Sequence, residues 1–427
     1  MLILISQIVC TMNKRNITFA LLTALLVSCN LDNEIEEPTP TIDPVYPPAD
    51  LVLTKSELQM VQQSNTFAFN LFNQISDTTA WESDIKTKSF MVSPLSITYA
   101  LGMLNNGAAG NTQAQINNVL GFGQTGADSI NAFCYKMLQA APALDSLTKV
   151  LIANNIYLNQ GFEIKPEFQK KANDFYDAQP ETRNFADGET MDVINQWASD
   201  HTEHMIDTVL TEDEFDERAD YYMLNALYFK GEWTTKFDKA KTKEASFSTP
   251  GRKTVMVPMM NLQAEFEYSQ NNDYQAIRLP YGNGSYYMTV LLPKAFNGDL
   301  PALPSAQAWK ELNRNMEKTL IDLSMPRIET DTDIDLSDIM KGLGMTDAFN
   351  RAADFSELSV VWTYIFLFKQ VAKIKLDEEG TEAAAVTVIG GKRSDSTPKF
   401  TANHPFIYLI SEKNSDAIFF MGRFTGE

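Results

Sequence analysis

The hydrophobic pattern of the chain is most informative between residues 372 and 398. Ala372, Ile374 and Leu376 alternate with lysines, which predicts a half-buried strand. Gly380 follows, and because glycine tolerates backbone angles that other residues resist, we expect a pivot there. The residues after this pivot include no large aromatic side chain, and no proline occurs before Pro398. The segment after the pivot is therefore competent to form a strand.

Read with the two-residue period of a strand, residues 381–390 have two different faces. The first face comprises Thr381, Ala383, Ala385, Thr387 and Ile389, and the second comprises Glu382, Ala384, Val386, Val388 and Gly390. The first face is uncharged and mostly small, as a strand needs if it is to slide into an already packed sheet. Residues 390–396 are polar and contain glycine, which predicts an exposed loop. An ordinary surface loop after a strand is the alternative interpretation.

Other stretches also predict regular elements. The apolar, β-rich run 221–231 predicts a buried strand that ends at Gly231. Helices are predicted over 65–75, after Ser93-Pro94, and over 191–206. Further strands are predicted over 90–92, over 154–158, in a hairpin of 275–281 and 286–293, and in a C-terminal hairpin of 400–410 and 417–424.

Length and composition restrict the class of protein. The 427 residues could form one large domain or two smaller ones, and 44% hydrophobic content allows a sizeable core. A net charge of −20 argues against nucleic acid as a partner and against binding an anionic membrane by surface charge. Three cysteines are too few for a disulfide framework. We expect neither a metal nor another cofactor.

Residues 1–29 have the pattern of a targeting signal. The basic start Met12-Asn13-Lys14-Arg15 makes Met12 the more plausible first residue, and the apolar run 17–27 is too short for a stable membrane span. Leu26-Val27-Ser28-Cys29 resembles the lipobox of bacterial lipoproteins. That resemblance implies cleavage before Cys29, acylation of its thiol, and attachment to the periplasmic face or the cell surface of the outer membrane. A plain secretory signal is the alternative.

Residues 30–50 combine acidic side chains with five prolines, so we expect an extended tether. The globular part is expected to begin at Leu51 and to run to the C-terminus as a single domain.

Two short motifs favour ordinary structure over a ligand site. Residues 121–126 spell the dinucleotide-binding glycine pattern, but a helix-like stretch precedes them where that motif needs a strand, so we interpret them as an interhelix loop. His201 and His204 lack the four-residue spacing and glutamate of the metalloprotease motif, so we interpret them as part of a solvated helical face.

The segment Glu378-Glu379-Gly380-Thr381-Glu382-Ala383-Ala384-Ala385 resembles the hinge of an inhibitory serpin. Three further stretches resemble the family in family order: Ser93-Pro94-Leu95-Ser96 with 107–113, the strand 221–237 with Asn225 and Trp233, and the C-terminal hairpin. The resemblance runs from about Leu51 to Phe424. It implies an α+β fold with three β-sheets, about eight to nine helices and an exposed reactive-centre loop at about 378–399.

The resemblance also implies roles for individual residues. Glu378, Gly380, Thr381, Glu382, Ala383, Ala384 and Ala385 would form the hinge, and Ser93, Ser96, Asn225, Trp233 and Gln370 would lie under the insertion site in the central sheet. The family usually has a histidine at the position of Gln370. Glutamine both donates and accepts hydrogen bonds, so we expect it to replace the histidine under the insertion site without adding a group that titrates.

The function implied by the resemblance is inhibition of serine endopeptidases, with cysteine endopeptidases as a further class, by a suicide-substrate mechanism. The target would form a covalent acyl complex, and the cleaved loop would insert into the central sheet of a monomer. The usual loop length of the family sets the reactive bond at Ser394-Asp395. Arg393-Ser394 is the alternative, because a basic residue suits a trypsin-like pocket.

Two other functional classes remain as alternatives. A non-inhibitory serpin that binds or carries a partner is the first, but its hinge would normally contain bulky or charged residues. A surface-anchored hydrolase is the second, but the sequence has no nucleophile elbow and only three histidines. We therefore expect a protein that is not an enzyme.

Overall fold

Eight α-helices and fourteen strands make up most of the regular structure of the residues described by the computed structural model, which are 50–77, 87–123, 125–380 and 397–426. The helices are α1 (Lys55–Asp77), α2 (Pro94–Asn105), α3 (Gly110–Val119), α4 (Ala127–Ala140), α5 (Pro166–Tyr176), α6 (Thr190–His201), α7 (Ala306–Arg314) and α8 (Ser337–Gly342). The strands are β1 (Phe90–Val92), β2 (Thr148–Asn159), β3 (Glu181–Arg183), β4 (Tyr221–Gly231), β5 (Lys243–Ser248), β6 (Thr254–Gln270), β7 (Tyr274–Tyr281), β8 (Tyr286–Pro293), β9 (Glu317–Pro326), β10 (Ile328–Asp335), β11 (Lys369–Leu376), β12 (Lys399–Thr401), β13 (Phe406–Glu412) and β14 (Ile418–Phe424).

Within these ranges the strands form three hydrogen-bonded sheets. The largest has the order β1-β14-β13-β8-β7-β6-β9-β12, with β5 paired to β6. A second sheet has the order β3-β2-β4, and β10 pairs with β11 in the third. The α+β fold with three sheets that the family resemblance implied is therefore confirmed.

Helix α2 lies at the centre of the molecule. All twelve of its residues are buried, and it packs on both β4 and β14. Its start is fixed locally, because Pro94 occupies the first turn and the Ser93 hydroxyl accepts a hydrogen bond from the Ser96 backbone N–H at 3.2 Å. Ser93 and Ser96 are therefore held at the end of a helix beneath the sheets.

Several predicted elements are confirmed by the structure. Strand β4 has the predicted bounds, and β7 and β8 form the predicted hairpin. β13 and β14 form the C-terminal hairpin, but its first strand begins at Phe406, because Lys399–Thr401 form the separate strand β12 beside β9. The glycine-rich stretch from Gly121 lies between α3 and α4, as an interhelix loop should.

The predicted helix over 191–206 was too long. Helix α6 ends at His201. Glu203 and His204 then have left-handed backbone conformations, with φ of 51° and 61°. Non-glycine residues adopt these angles rarely, and a helix cannot continue through them. His201 and His204 therefore do not share a helical face.

Candidate functional site

The hinge contact is formed where residues 377–380 meet residues 232–237. Gly380 makes antiparallel bridges to Asp377 and to Glu232. Its φ is 127°, and a Cβ added there would lie 2.3 Å from the carbonyl oxygen of Gly231. A residue with a side chain would therefore clash with the backbone of the neighbouring strand, so this position requires glycine.

Trp233 joins this contact through its backbone and its indole ring. Its backbone N–H donates to the Glu379 carbonyl and its Nε1–H to the Asp377 carbonyl, each at 2.9 Å. The indole stacks on Tyr281 with ring centroids 4.4 Å apart. The tryptophan therefore attaches Asp377 and Glu379 to the segment that directly follows β4.

Glu378 is the most buried charged group of the hinge contact, with 1% exposure. Its carboxylate accepts hydrogen bonds from Arg327 Nη2 at 2.7 Å and from Thr242 Oγ1 at 2.5 Å. Burial alone would raise the pKa of Glu378, but the hydrogen bonds from Arg327 and Thr242 outweigh it, and the net shift of the pKa is downward. The carboxylate is therefore ionised in the folded protein at neutral pH.

Glu379 has a different set of partners. Its carboxylate forms ion pairs with Lys236 at 3.4 Å and with Lys239 at 2.9 Å. Glu379 therefore binds the segment that follows β4, whereas Glu378 binds Thr242 and also Arg327, which lies between β9 and β10.

The serine cluster consists of Ser93, Ser96, Asn225 and Gln370, and it lies beneath β4 and β11. The Gln370 amide accepts from the Ser93 N–H at 2.9 Å and donates to the Ser93 carbonyl at 3.1 Å. Ser96 Oγ donates to Asn225 Oδ1 and lies 3.5 Å from Gln370 Nε2. Because Asn225 is on β4 and Gln370 on β11, Ser96 connects the two strands from below.

Asn225 and Trp233 therefore lie at different places. Asn225 belongs to the serine cluster, whereas Trp233 belongs to the hinge contact. Among the described residues no backbone ladder joins β4 to β11, although both strands contribute to the lining of one cavity. β4 and β11 therefore approach each other at the hinge contact and leave space between them further from it.

Several predicted site residues lie outside the described residues. These are Cys29, Thr381, Glu382, Ala383, Ala384, Ala385, Arg393, Ser394 and Asp395. Cys134 is described, and it is a free thiol at 0% exposure. Burial raises the pKa of Cys134 to about 12, so the thiol is protonated and unreactive at neutral pH.

Two properties of the described part of the chain concern other kinds of site. None of its helices is long and apolar enough to cross a membrane. No three of its His, Cys, Asp and Glu side chains lie close enough together to hold a metal ion.

Sequence reasoning missed several residues of the site. Arg327 and Thr242 bind Glu378, Asn154 Oδ1 accepts from Asn225 at 2.7 Å, and Tyr281 stacks on Trp233. The sequence around Arg327 carries no local signal for this role, because its partner lies 51 positions away along the chain. Asn154 could have been suspected because it is one of two adjacent asparagines that begin the predicted strand 154–158.

Comparison with known proteins agrees with this geometry. Residues 62–426 match the family described as Serpin (serine protease inhibitor). The chain belongs to the serpin family, whose members are mostly protease inhibitors and not catalytic enzymes.

Individual relatives are similar over most of their length. Serpin B3 of Homo sapiens is 31% identical over 399 residues, which cover 86% of this chain and 100% of that protein. Iripin-8 of Ixodes ricinus is 32% identical, covering 87% of this chain and 94% of that protein. The crystal structure of the thermophilic serpin tengpin in its native state superposes with a TM-score of 0.77 at 27% identity, covering 90% of this chain and 97% of tengpin.

Proposed function

We propose that this chain inhibits serine endopeptidases, with cysteine endopeptidases as a further class, as a suicide substrate. The target's nucleophile attacks the carbonyl carbon of Ser394, the bond to Asp395 breaks, and residue 395 leaves with the new amino terminus. Before the acyl-enzyme is hydrolysed, the cleaved loop enters between β4 of the second sheet and β11 of the third, as a new strand that joins the two sheets. The observation that carries this proposal is that Gly380 forms two β-bridges, one to Asp377 and one to Glu232.

Each bridge supports a register for the inserted strand. The bridge between Asp377 and Gly380 is antiparallel, and its continuation sets Thr387 opposite Gln370. The bridge between Glu232 and Gly380 is also antiparallel, and its continuation sets Thr387 opposite Asn225. Both bridges therefore give the same position for Thr387, between Gln370 and Asn225. Its hydroxyl group would there join the serine cluster.

The same register supports the assignment of the two faces. Leu376, Ile374 and Ala372 are buried on β11, and residues directly opposite in an antiparallel pair share a face. Thr381, Ala383 and Ala385 would lie opposite these three residues. Small uncharged side chains therefore meet the buried face, whereas Glu382 meets the outer one.

Insertion would release enough free energy to hold a protease. A net backbone hydrogen bond contributes about 0.5–1.5 kcal/mol, so a strand of about a dozen residues contributes on the order of 10 kcal/mol. That is comparable to the stability of a whole domain, which is about 5–15 kcal/mol. The uncut form must therefore be metastable and protected by a kinetic barrier.

The direct test incubates the protein with a panel of serine and cysteine endopeptidases and examines the products on a denaturing gel. We expect a covalent band at the summed mass with at least one enzyme. We also expect protein nicked near residue 394 to melt at a much higher temperature than the uncut form. Cleavage that yields neither a covalent band nor a higher melting temperature would overturn the proposal.

The proposal for location is separate. We propose that acyl chains on Cys29 hold the monomeric protein on a bacterial membrane, on the periplasmic face or the cell surface, with residues 30–50 as the tether. Metabolic labelling with a palmitate analogue, compared between wild type and Cys29→Ala, tests it, and equal labelling of the two would contradict it.

A further inference from the structure

A cavity of about 100 Å³ lies among β4, α2, α6 and residues 364–371. The serine cluster borders it through Ser96, Asn225 and Gln370. The rest of its wall is mostly apolar, and it includes residues of both strands between which the loop would insert. A molecule in this cavity would therefore contact β4 and the segment before β11 at the same time.

The lining of the cavity is rich in aromatic side chains. Trp197 comes from α6, Tyr222 from β4, and Phe366 and Phe368 from the segment before β11. An engineered apolar cavity of about 150 Å³ binds benzene and stays free of water. The present cavity has about two-thirds of that volume, so one ring would fit if the side chains of its wall moved slightly outward. The charged lining residue Lys369 is already paired with Glu214 at 2.7 Å and with Asp333 at 2.9 Å, so the wall favours a flat, uncharged ring.

One polar group of the lining has no hydrogen-bond partner among the described residues. The Tyr221 side chain is 9% exposed, and its hydroxyl is unpaired in this part of the chain. Other polar lining groups are paired, as Thr202 is to the Ala198 carbonyl and Gln370 to Ser93. Burial and the nearby Asp220 raise the pKa of Tyr221, so its hydroxyl stays protonated and can donate. A buried donor without a partner favours a ligand that brings an acceptor.

We propose that this cavity binds a small uncharged monocyclic aromatic molecule with one hydrogen-bond acceptor, and that the bound molecule hinders insertion of the cleaved loop. The apolar wall of the cavity holds the ring, and the acceptor receives a hydrogen bond from the Tyr221 hydroxyl. The second half of this inference rests on the proposed inhibitory function, whereas the first half does not.

Binding is tested on the uncut protein with phenol and toluene, which have nearly the same shape. Calorimetric titration, supported by the tryptophan emission of the whole protein, should show saturable binding of both at one site. In Tyr221→Phe we expect phenol to bind about five-fold more weakly while toluene is unaffected. The phenol-to-toluene ratio separates loss of the hydroxyl from a general loosening of the site. Ala100→Leu, which adds volume at the wall, should weaken both ligands.

Failure of either ligand to saturate would overturn the binding site, as would identical affinities in wild type and in a folded Ala100→Leu variant. An unchanged phenol-to-toluene ratio in Tyr221→Phe would overturn the role given to the hydroxyl. Benzoate, which is charged at neutral pH, is the matched negative control.

The effect on insertion is measured with a protease that forms the covalent complex. At saturating phenol, we expect a smaller covalent fraction and a larger cleaved fraction than without it. Binding without this change would overturn the coupling. Absence of any covalent complex before ligand is added would instead count against the proposed inhibitory function, and the binding result would stand by itself.

Discussion

The buried carboxylate of Glu378 accepts hydrogen bonds from both Nε and Nη2 of Arg327, at distances of 2.7–3.1 Å. Glu378 is the first residue of the predicted loop, and Arg327 lies between β9 and β10. This pair therefore fixes the point from which the loop departs. Charge-assisted hydrogen bonds to a buried group are among the stronger ones in proteins.

Replacing Glu378 should lower the free energy of unfolding of the uncut protein. Glu378→Gln removes the charge that Arg327 binds, and we expect a loss of about 1–3 kcal/mol in the free energy of unfolding. The loss is moderate because Arg327 is 44% exposed and water can solvate it. Denaturant unfolding measures the effect. Glu357→Gln, at an exposed glutamate 3.7 Å from Lys165, is the matched control. Equal denaturant midpoints of unfolding for the two variants would contradict the prediction.

The same pair predicts a dependence of stability on pH. Because the pKa of Glu378 is lowered in the folded state, its contribution is fully present above the unfolded value of about 4.3 and is lost as the pH falls through the folded value. The difference in unfolding free energy between wild type and Glu378→Gln should therefore be constant from pH 7 to about 5 and should shrink below about 4. A difference that grows on acidification would show that the sign is wrong.

Thr381→Arg should convert the inhibitor into a substrate. In the proposed register Thr381 enters the buried face opposite Leu376, where a long charged side chain slows insertion. We expect cleavage at the normal rate and little or no covalent complex on a denaturing gel. Glu382→Arg adds the same side chain on the outer face and should keep most of the complex. A full yield from Thr381→Arg would contradict the register.

Gln370→His should introduce a pH dependence that the wild type lacks at this position. The serine cluster contains no ionisable side chain, and Gln370 is 8% exposed. A buried histidine favours its neutral form, so its folded pKa lies below the unfolded value of about 6.5. The variant should thus lose stability as the pH falls below about 6.5. Melting temperatures at pH 7.5 and 5.5, corrected by those of Gln370→Asn, measure this loss; a constant difference between the variants would contradict it.

The mass of the released C-terminal fragment identifies the reactive bond. We expect the fragment to begin at Asp395, because the loop length of the family sets the acyl group on Ser394. Cleavage by a trypsin-like enzyme after Arg393 would instead give a fragment that begins at Ser394. Arg393→Gln separates the two cases, since it should abolish the second cleavage and leave the first nearly unchanged. A covalent complex that disappears in Arg393→Gln would assign the reactive bond to Arg393-Ser394.

The sequence by itself determined the elements whose signals are local. The apolar run ending at Gly231 set the bounds of β4, Ser93-Pro94 set the start of α2, and the alternation at 372–376 set the buried face of β11. The required glycine at 380 was also visible in advance. These features depend on neighbours within a few residues, which is the range over which periodicity and capping act.

The tertiary structure alone decided which distant groups meet. It paired Glu378 with Arg327, separated Trp233 from the serine cluster, and ended α6 at His201 through two left-handed residues. It also left a cavity beside β4 with the Tyr221 hydroxyl unpaired among the described residues. Such contacts join residues far apart in the chain, and their energies depend on the packing of whole elements, which no local pattern encodes.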